Sequence, residues 1–106
     1  MAELKYRRVL LKLSGETLGN SPDGQGLLLD SIRPLAEQIA EGARLGVQIG
    51  IVVGGGNLWR GGRLQGLELE RSQSDVIGML ATVMNSLALG QVLGGLGAKV
   101  RVLSAI

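Results

Sequence analysis

Apolar positions along the chain change period several times, and each change predicts an element. Arg8 to Leu13, RVLLKL, is almost continuously apolar, the pattern of a parallel strand covered on both faces. A polar, glycine-rich stretch follows, SGETLGNSPDGQG, with turn signals at Asn20, Pro22-Asp23-Gly24 and Gly26. From Asp30 or Ser31 the period lengthens. Ile32, Leu35, Ala36, Ile39, Ala40 and Ala43 fall on one face of a 3.6-residue helix. Pro34 is expected in its first turn, where a missing N–H costs nothing, and Gly46 is placed to end it in the left-handed conformation. Gln48 to Val53 reads as a second strand. The order strand, helix, strand demands parallel pairing through a right-handed crossover. A polar run from Arg63 to Asp75 leads into a long helix, and Lys99 to Ser104, KVRVLS, reads as a third strand. The fold class is therefore α/β, a parallel sheet built of βαβ units.

The stretch Val76 to Ala98 contains no charged residue and is long enough to span a bilayer. Thr82, Asn85, Ser86 and Gln91 interrupt it, and Gly94, Gly95 and Gly97 break its end. A helix apolar all round is also what a buried or interface helix looks like, so no membrane is expected. The N-terminus carries an acid and only a short apolar run, which makes a poor signal peptide.

Composition narrows the chemistry. With neither Cys nor His, disulfides, Cys/His zinc sites, thiol catalysis and His-dependent triads are excluded. The formal charge of +2, with no long basic run, gives no reason to expect nucleic acid. Aromatic residues are 2% of the chain, so its core must be aliphatic.

Glycine supplies the positive signal. In an open α/β sheet, ligands bind at the carboxyl ends of strands, and Gly54-Gly55-Gly56 stands at such an end. A backbone free of Cβ atoms can bring its N–H groups against an anion, with a following helix N-terminus adding positive potential. The competing reading is a tight turn that needs positive φ. No Gly-Lys-Ser/Thr follows, so this is not a Walker loop. Lys12 precedes Ser14-Gly15 at the end of the first strand. It could point at phosphates or merely snorkel from an edge. Adjacent parallel strands would bring Lys12, Ser14-Gly15 and the three glycines to one rim. Arg60, six residues past Gly54, offers a planar fork suited to phosphate oxygens, or could pair with Glu68 or Glu70. Trp59 is read as a hydrophobic plug. Ser72 with Asp75 fits a capping box; the alternative is a carboxylate accepting hydrogen bonds from sugar hydroxyls.

Taken together, LLKLSGE (Leu10 to Glu16), GVQIGIVVGGGNLWRG (Gly46 to Gly61), GMLATVMNSLAL (Gly78 to Leu89) and the terminal RVLSAI resemble bacterial-type uridylate kinases of the amino-acid-kinase superfamily. They match in order and spacing over nearly the whole chain. Ser74 and Ile77 stand where that pattern carries a Gly or Ala and a Met.

The resemblance implies a three-layer α/β/α fold. It also implies phosphoryl transfer from ATP to UMP, giving UDP and ADP, with Mg²⁺, in pyrimidine nucleotide synthesis. It implies a cytoplasmic homohexamer activated by GTP and inhibited by UTP. By resemblance, Lys12, Leu13, Ser14 and Gly15 contact ATP, and Gly56 and Arg60 join them. Lys12 and Arg60 stabilise the moving phosphoryl group, Gly55 faces the UMP phosphate, and Asp75 faces its ribose. No metal ligand is assigned to a side chain. The family's second half, with the pocket for the ATP base, has no counterpart here. Residues 1–106 are therefore expected to be the N-terminal portion of a single amino-acid-kinase domain, without a second domain and inactive alone. Two alternatives stay open: a non-catalytic nucleotide- or oxyanion-binding relative resembling the molybdenum storage proteins, and another amino-acid kinase acting on a carboxylate or carbamate.

Overall fold

The computed structural model describes residues 4–20, 23–59 and 70–104. Strand β1 (Arg8–Leu13) and strand β2 (Gln48–Val53) lie parallel, paired from Arg8 with Gln48 to Leu13 with Val53. Helix α1 (Leu29–Arg44) connects them, and helix α2 (Arg71–Gly95) follows β2. Both strands have the expected limits, and the parallel βαβ unit is present.

Alternation along each strand determines where the core lies. Leu11, Leu13, Ile49, Ile51 and Val53 face α1 and α2, packing with Ile32, Ala36, Ile39 and Ala40 of α1 and Leu89 and Leu93 of α2. The opposite sheet face, with Leu10, Lys12 and Val52, is exposed among the described residues. Near-continuous apolar character in β1 therefore does not translate into cover on both faces here.

Four helical expectations shift. Helix α1 starts at Leu29, so Pro34 sits in its second turn, and Ala43 is exposed. Helix α2 starts at Arg71 with Glu70 at the N-cap and no side-chain cap. Ser72 and Asp75 therefore lie inside the helix, and the capping box does not form. By length and composition α2 could cross a membrane, yet it places Ala81, Asn85, Leu89 and Leu93 in the interior at intervals of four.

Gly46 ends α1 as expected. Its φ is +95°, its N–H bonds to Ala43 O, and Val47 N–H bonds to Gly42 O, the paired bonds of a Schellman end. The turn signals around residue 24 are also realised. Asn20 N–H donates to Gln25 O, Gly24 N–H donates to Asn20 O, and Gln25 N–H donates to Asn20 Oδ1; Pro22 lies outside the described residues.

The expected third strand does not form a ladder among the described residues: the sheet has two strands. Residues 99–104 instead run past α2, with Val100 and Val102 beside Gly90. A cleft of about 580 Å³ separates this segment from β2. A short apolar pattern such as KVRVLS names no pairing partner.

Candidate functional site

The two strand tips meet. The ladder runs one step past both strands, with Gly54 N–H donating to Leu13 O at 2.9 Å. Beyond Leu13 the chain turns sharply through Ser14 into a short 3-10 turn, Gly15–Leu18. Ser14 O accepts from the Thr17 N–H at 3.2 Å and from its hydroxyl at 2.7 Å. Leu18, fully buried, anchors this turn in the core. Gly15 lies against the glycine turn so closely that a Cβ there would stand 2.8 Å from Gly54 O and 2.9 Å from Gly56 N.

None of Gly54, Gly55 or Gly56 has positive φ, so conformational freedom does not explain the run. Close approach does. Gly55 is pressed on α2, where a Cβ would meet Ala81 Cβ at 2.9 Å and Gly78 O at 3.1 Å. Gly55 O then accepts from the N–H groups of Leu58 and Trp59, both at 3.0 Å, closing a turn. The described residues after the glycines form this turn rather than a helix N-terminus. The Gly54 amide is already committed to the ladder, whereas the Gly55 N–H has no partner among the described residues. The expected three-amide cradle is thus narrower at its first position.

Two buried asparagines hold the turn from beneath. Asn57 is 3% exposed and Asn85 0%. Asn57 Nδ2 donates to Asn85 Oδ1 at 3.0 Å, and Asn85 Nδ2 donates to Asn57 Oδ1 at 2.7 Å. The remaining amide hydrogens go to Gly54 O from Asn85 and to Gly26 O from Asn57, each at 2.7 Å. Gly26 N–H returns a bond to Asn57 O at 2.8 Å, tying the 23–26 loop to the same turn. In the sequence Asn85 stands only as a polar interruption of the Val76–Ala98 stretch, and Asn57 gives no signal of its own. The usable signal was Asn85's position four residues from both Ala81 and Leu89, inside the buried stripe.

The sequence-derived candidates divide as follows. Gly15 stands against Gly54 and Gly56, and Ser14 beside it is exposed. Lys12 is on the exposed sheet face, next to last in β1, while Leu13 points to the core side. Asp75 is exposed in the second turn of α2. Trp59 brings that end of the helix to the glycine turn: its indole N–H donates to Ser74 O at 3.1 Å, and the ring lies over Gly78. This is the plug expected of it. Arg60, and its possible pairing with Glu68 or Glu70, falls outside the described residues.

Comparison with known proteins agrees with this frame. Residues 7–106 match the model of the amino acid kinase family. The chain is 51% identical over 106 residues to a uridylate kinase of Pediococcus pentosaceus and 49% identical to one of Limosilactobacillus reuteri. All of this chain is covered, against 44% of each relative, so it spans less than half of their length. A UMP kinase structure from Bacillus anthracis superposes with a TM-score of 0.76 at 38% identity, over 85% of this chain and 36% of that one. One from Ureaplasma parvum gives 0.76 at 36% identity, over 91% and 41%. Family match, identity and superposition coincide with the parallel βαβ unit and its glycine-lined tips: the chain belongs to the amino acid kinase family.

Proposed function

We propose that this chain is the phosphate-binding part of a nucleoside monophosphate kinase that transfers the γ-phosphoryl group of ATP to UMP, releasing UDP and ADP. The observation that carries the reading is the meeting of Gly15 with Gly54 and Gly56 at the carboxyl ends of adjacent parallel strands. Relatives near 50% identity named uridylate kinase support the choice of substrate. In this reading residues 1–106 are the N-terminal portion of a single amino-acid-kinase domain. The whole protein works in pyrimidine nucleotide synthesis as a cytoplasmic homohexamer, with GTP as activator and UTP as inhibitor.

Phosphoryl transfer asks a protein for positioning and for compensation of negative charge rather than for a nucleophilic side chain. Lys12 and Arg60 supply positive charge to the moving group. Leu13, Ser14, Gly15 and Gly56 bring backbone close to ATP phosphates, the Gly55 N–H meets the phosphate of UMP, and Asp75 accepts from its ribose hydroxyls. Among the described residues no three acidic side chains gather into a metal site. Mg²⁺ would therefore arrive on the nucleotide phosphates, as it commonly does, and no protein step is routed through it.

The test grafts this chain in place of the matching 44% of the Pediococcus enzyme and follows ADP release by a coupled assay. UMP should be preferred to CMP. Lys12→Ala should lower kcat by about 10²- to 10³-fold with KM for UMP nearly unchanged. Equal rates on UMP and CMP would remove the substrate assignment, and parallel loss of kcat and UMP affinity would give Lys12 a structural role.

A further inference from the structure

We infer that Asn85, acting with Asn57, is a positioning residue that fixes the Gly54–Gly56 turn for phosphate and links it to the 23–26 loop. This rests on the phosphate reading proposed above.

The geometry argues for more than packing. Asn85 stands in the middle of a stripe otherwise made of Ala81, Leu89 and Leu93. An apolar residue there would avoid burying an amide, which is tolerated only with full hydrogen bonding. Full bonding is what the pair has. All four amide hydrogens are used, two between the side chains and two on the carbonyls of Gly54 and Gly26. The first of those carbonyls belongs to the peptide unit that also carries the Gly55 N–H. The bond from Asn85 to Gly54 O therefore sets the tilt of that plane, and with it the direction of the N–H. The bond from Asn57 to Gly26 O, answered by Gly26 N–H to Asn57 O, couples the same turn to the loop. An anion seated on the Gly55 N–H pulls on a plane whose other end is held by Asn85.

The experiment uses the 106-residue chain, ¹⁵N-labelled, titrated with inorganic tripolyphosphate and observed by amide resonances. The Gly55 N–H and the side-chain NH₂ groups of Asn57 and Asn85 should move with one common midpoint, and the Gly26 N–H should follow. Asn85→Asp keeps the shape but removes both Nδ2 donations, placing an acceptor against Gly54 O, whose bond sets the Gly55 N–H, and against Asn57 Oδ1. It should weaken tripolyphosphate binding by about tenfold, the loss of one well-placed hydrogen bond. Wild-type side-chain amides that stay still while Gly55 titrates would overturn the positioning role, and this readout needs no variant to fold. Unchanged affinity in a folded Asn85→Asp chain would do the same. No movement of Gly55 in the wild type would instead remove the phosphate reading, and the positioning role with it.

Discussion

Replacing Gly15 with alanine tests the meeting of the strand tips directly. The added methyl would stand 2.8 Å from Gly54 O and 2.9 Å from Gly56 N. Both fall roughly 0.6 Å or more short of the ~3.5 Å at which carbon contacts become favourable. Both obstacles are backbone atoms, and Gly54 is held from two sides, by Leu13 O and by Asn85, so neither can rotate away. The tips must separate or the 3-10 turn must lift, and overpacking of this kind costs about 1–3 kcal/mol. In a domain of this size 1 kcal/mol lowers Tm by about 4–8 °C, so a fall of roughly 5–20 °C is expected in thermal unfolding followed by far-UV circular dichroism. Gly94→Ala is the matched control. Gly94 is helical with nothing within 4 Å of its Cβ position, and there alanine should be neutral or stabilise by up to about 1 kcal/mol. If Gly15→Ala melts within about 1 °C of the wild type, the two tips are not in contact and the site loses its geometry.

Two further outcomes follow from the packing. Leu18→Ala, at a fully buried position in the 3-10 turn, should cost about 2–5 kcal/mol in urea unfolding; a loss below about 0.5 kcal/mol would mean the turn is not anchored in the core. Gly46→Ala places a Cβ at φ +95° and should cost about 1–2 kcal/mol, read in the same assay, with no loss indicating that α1 ends differently.

Strand limits and the helical face of α1 were legible because both follow from local periodicity. Ile32, Ala36, Ile39 and Ala40 declare a stripe, and Gly46 declares its end. Helix starts were less legible. Arg71 to Ser74 are polar and the first turn of a helix tolerates polar residues, so nothing local separated loop from helix ahead of Asp75. The 3-10 turn at Gly15–Leu18 was hidden for another reason. Its stability comes from burying Leu18 under α1 and α2, a tertiary effect that four residues of sequence do not display. The alternation of Lys99 to Ser104 was real but ambiguous, since Val100 and Val102 find helix α2 instead of a strand edge.

Why three glycines stand together is answered one residue at a time. A tight turn with positive φ is one reading of such a run, an anion cradle the other. In the structure none of the three occupies the left-handed region. Gly54 carries the ladder one step past β2 and receives Asn85. Gly55 is flattened on α2, and Gly56 abuts Gly15. The run is thus a three-way junction of β1, β2 and α2; a methyl at Gly55 would collide with α2, whereas one at Gly54 would meet only ordinary contacts, 3.5 Å from Gly15 N and 3.9 Å from Leu13 O. This changes what the anion argument rests on. Packing by itself accounts for Gly55 and calls for no ligand there. What still points to phosphate is the location at the carboxyl ends of parallel strands, the Gly55 N–H left without a partner among the described residues, and a buried amide pair bonded to the carbonyl of that same peptide unit. Replacing Asn85 alone by an apolar residue would leave Asn57 and Gly54 O short of partners and cost stability under either reading; only a junction built to present an N–H would lose anion binding as well while still folded.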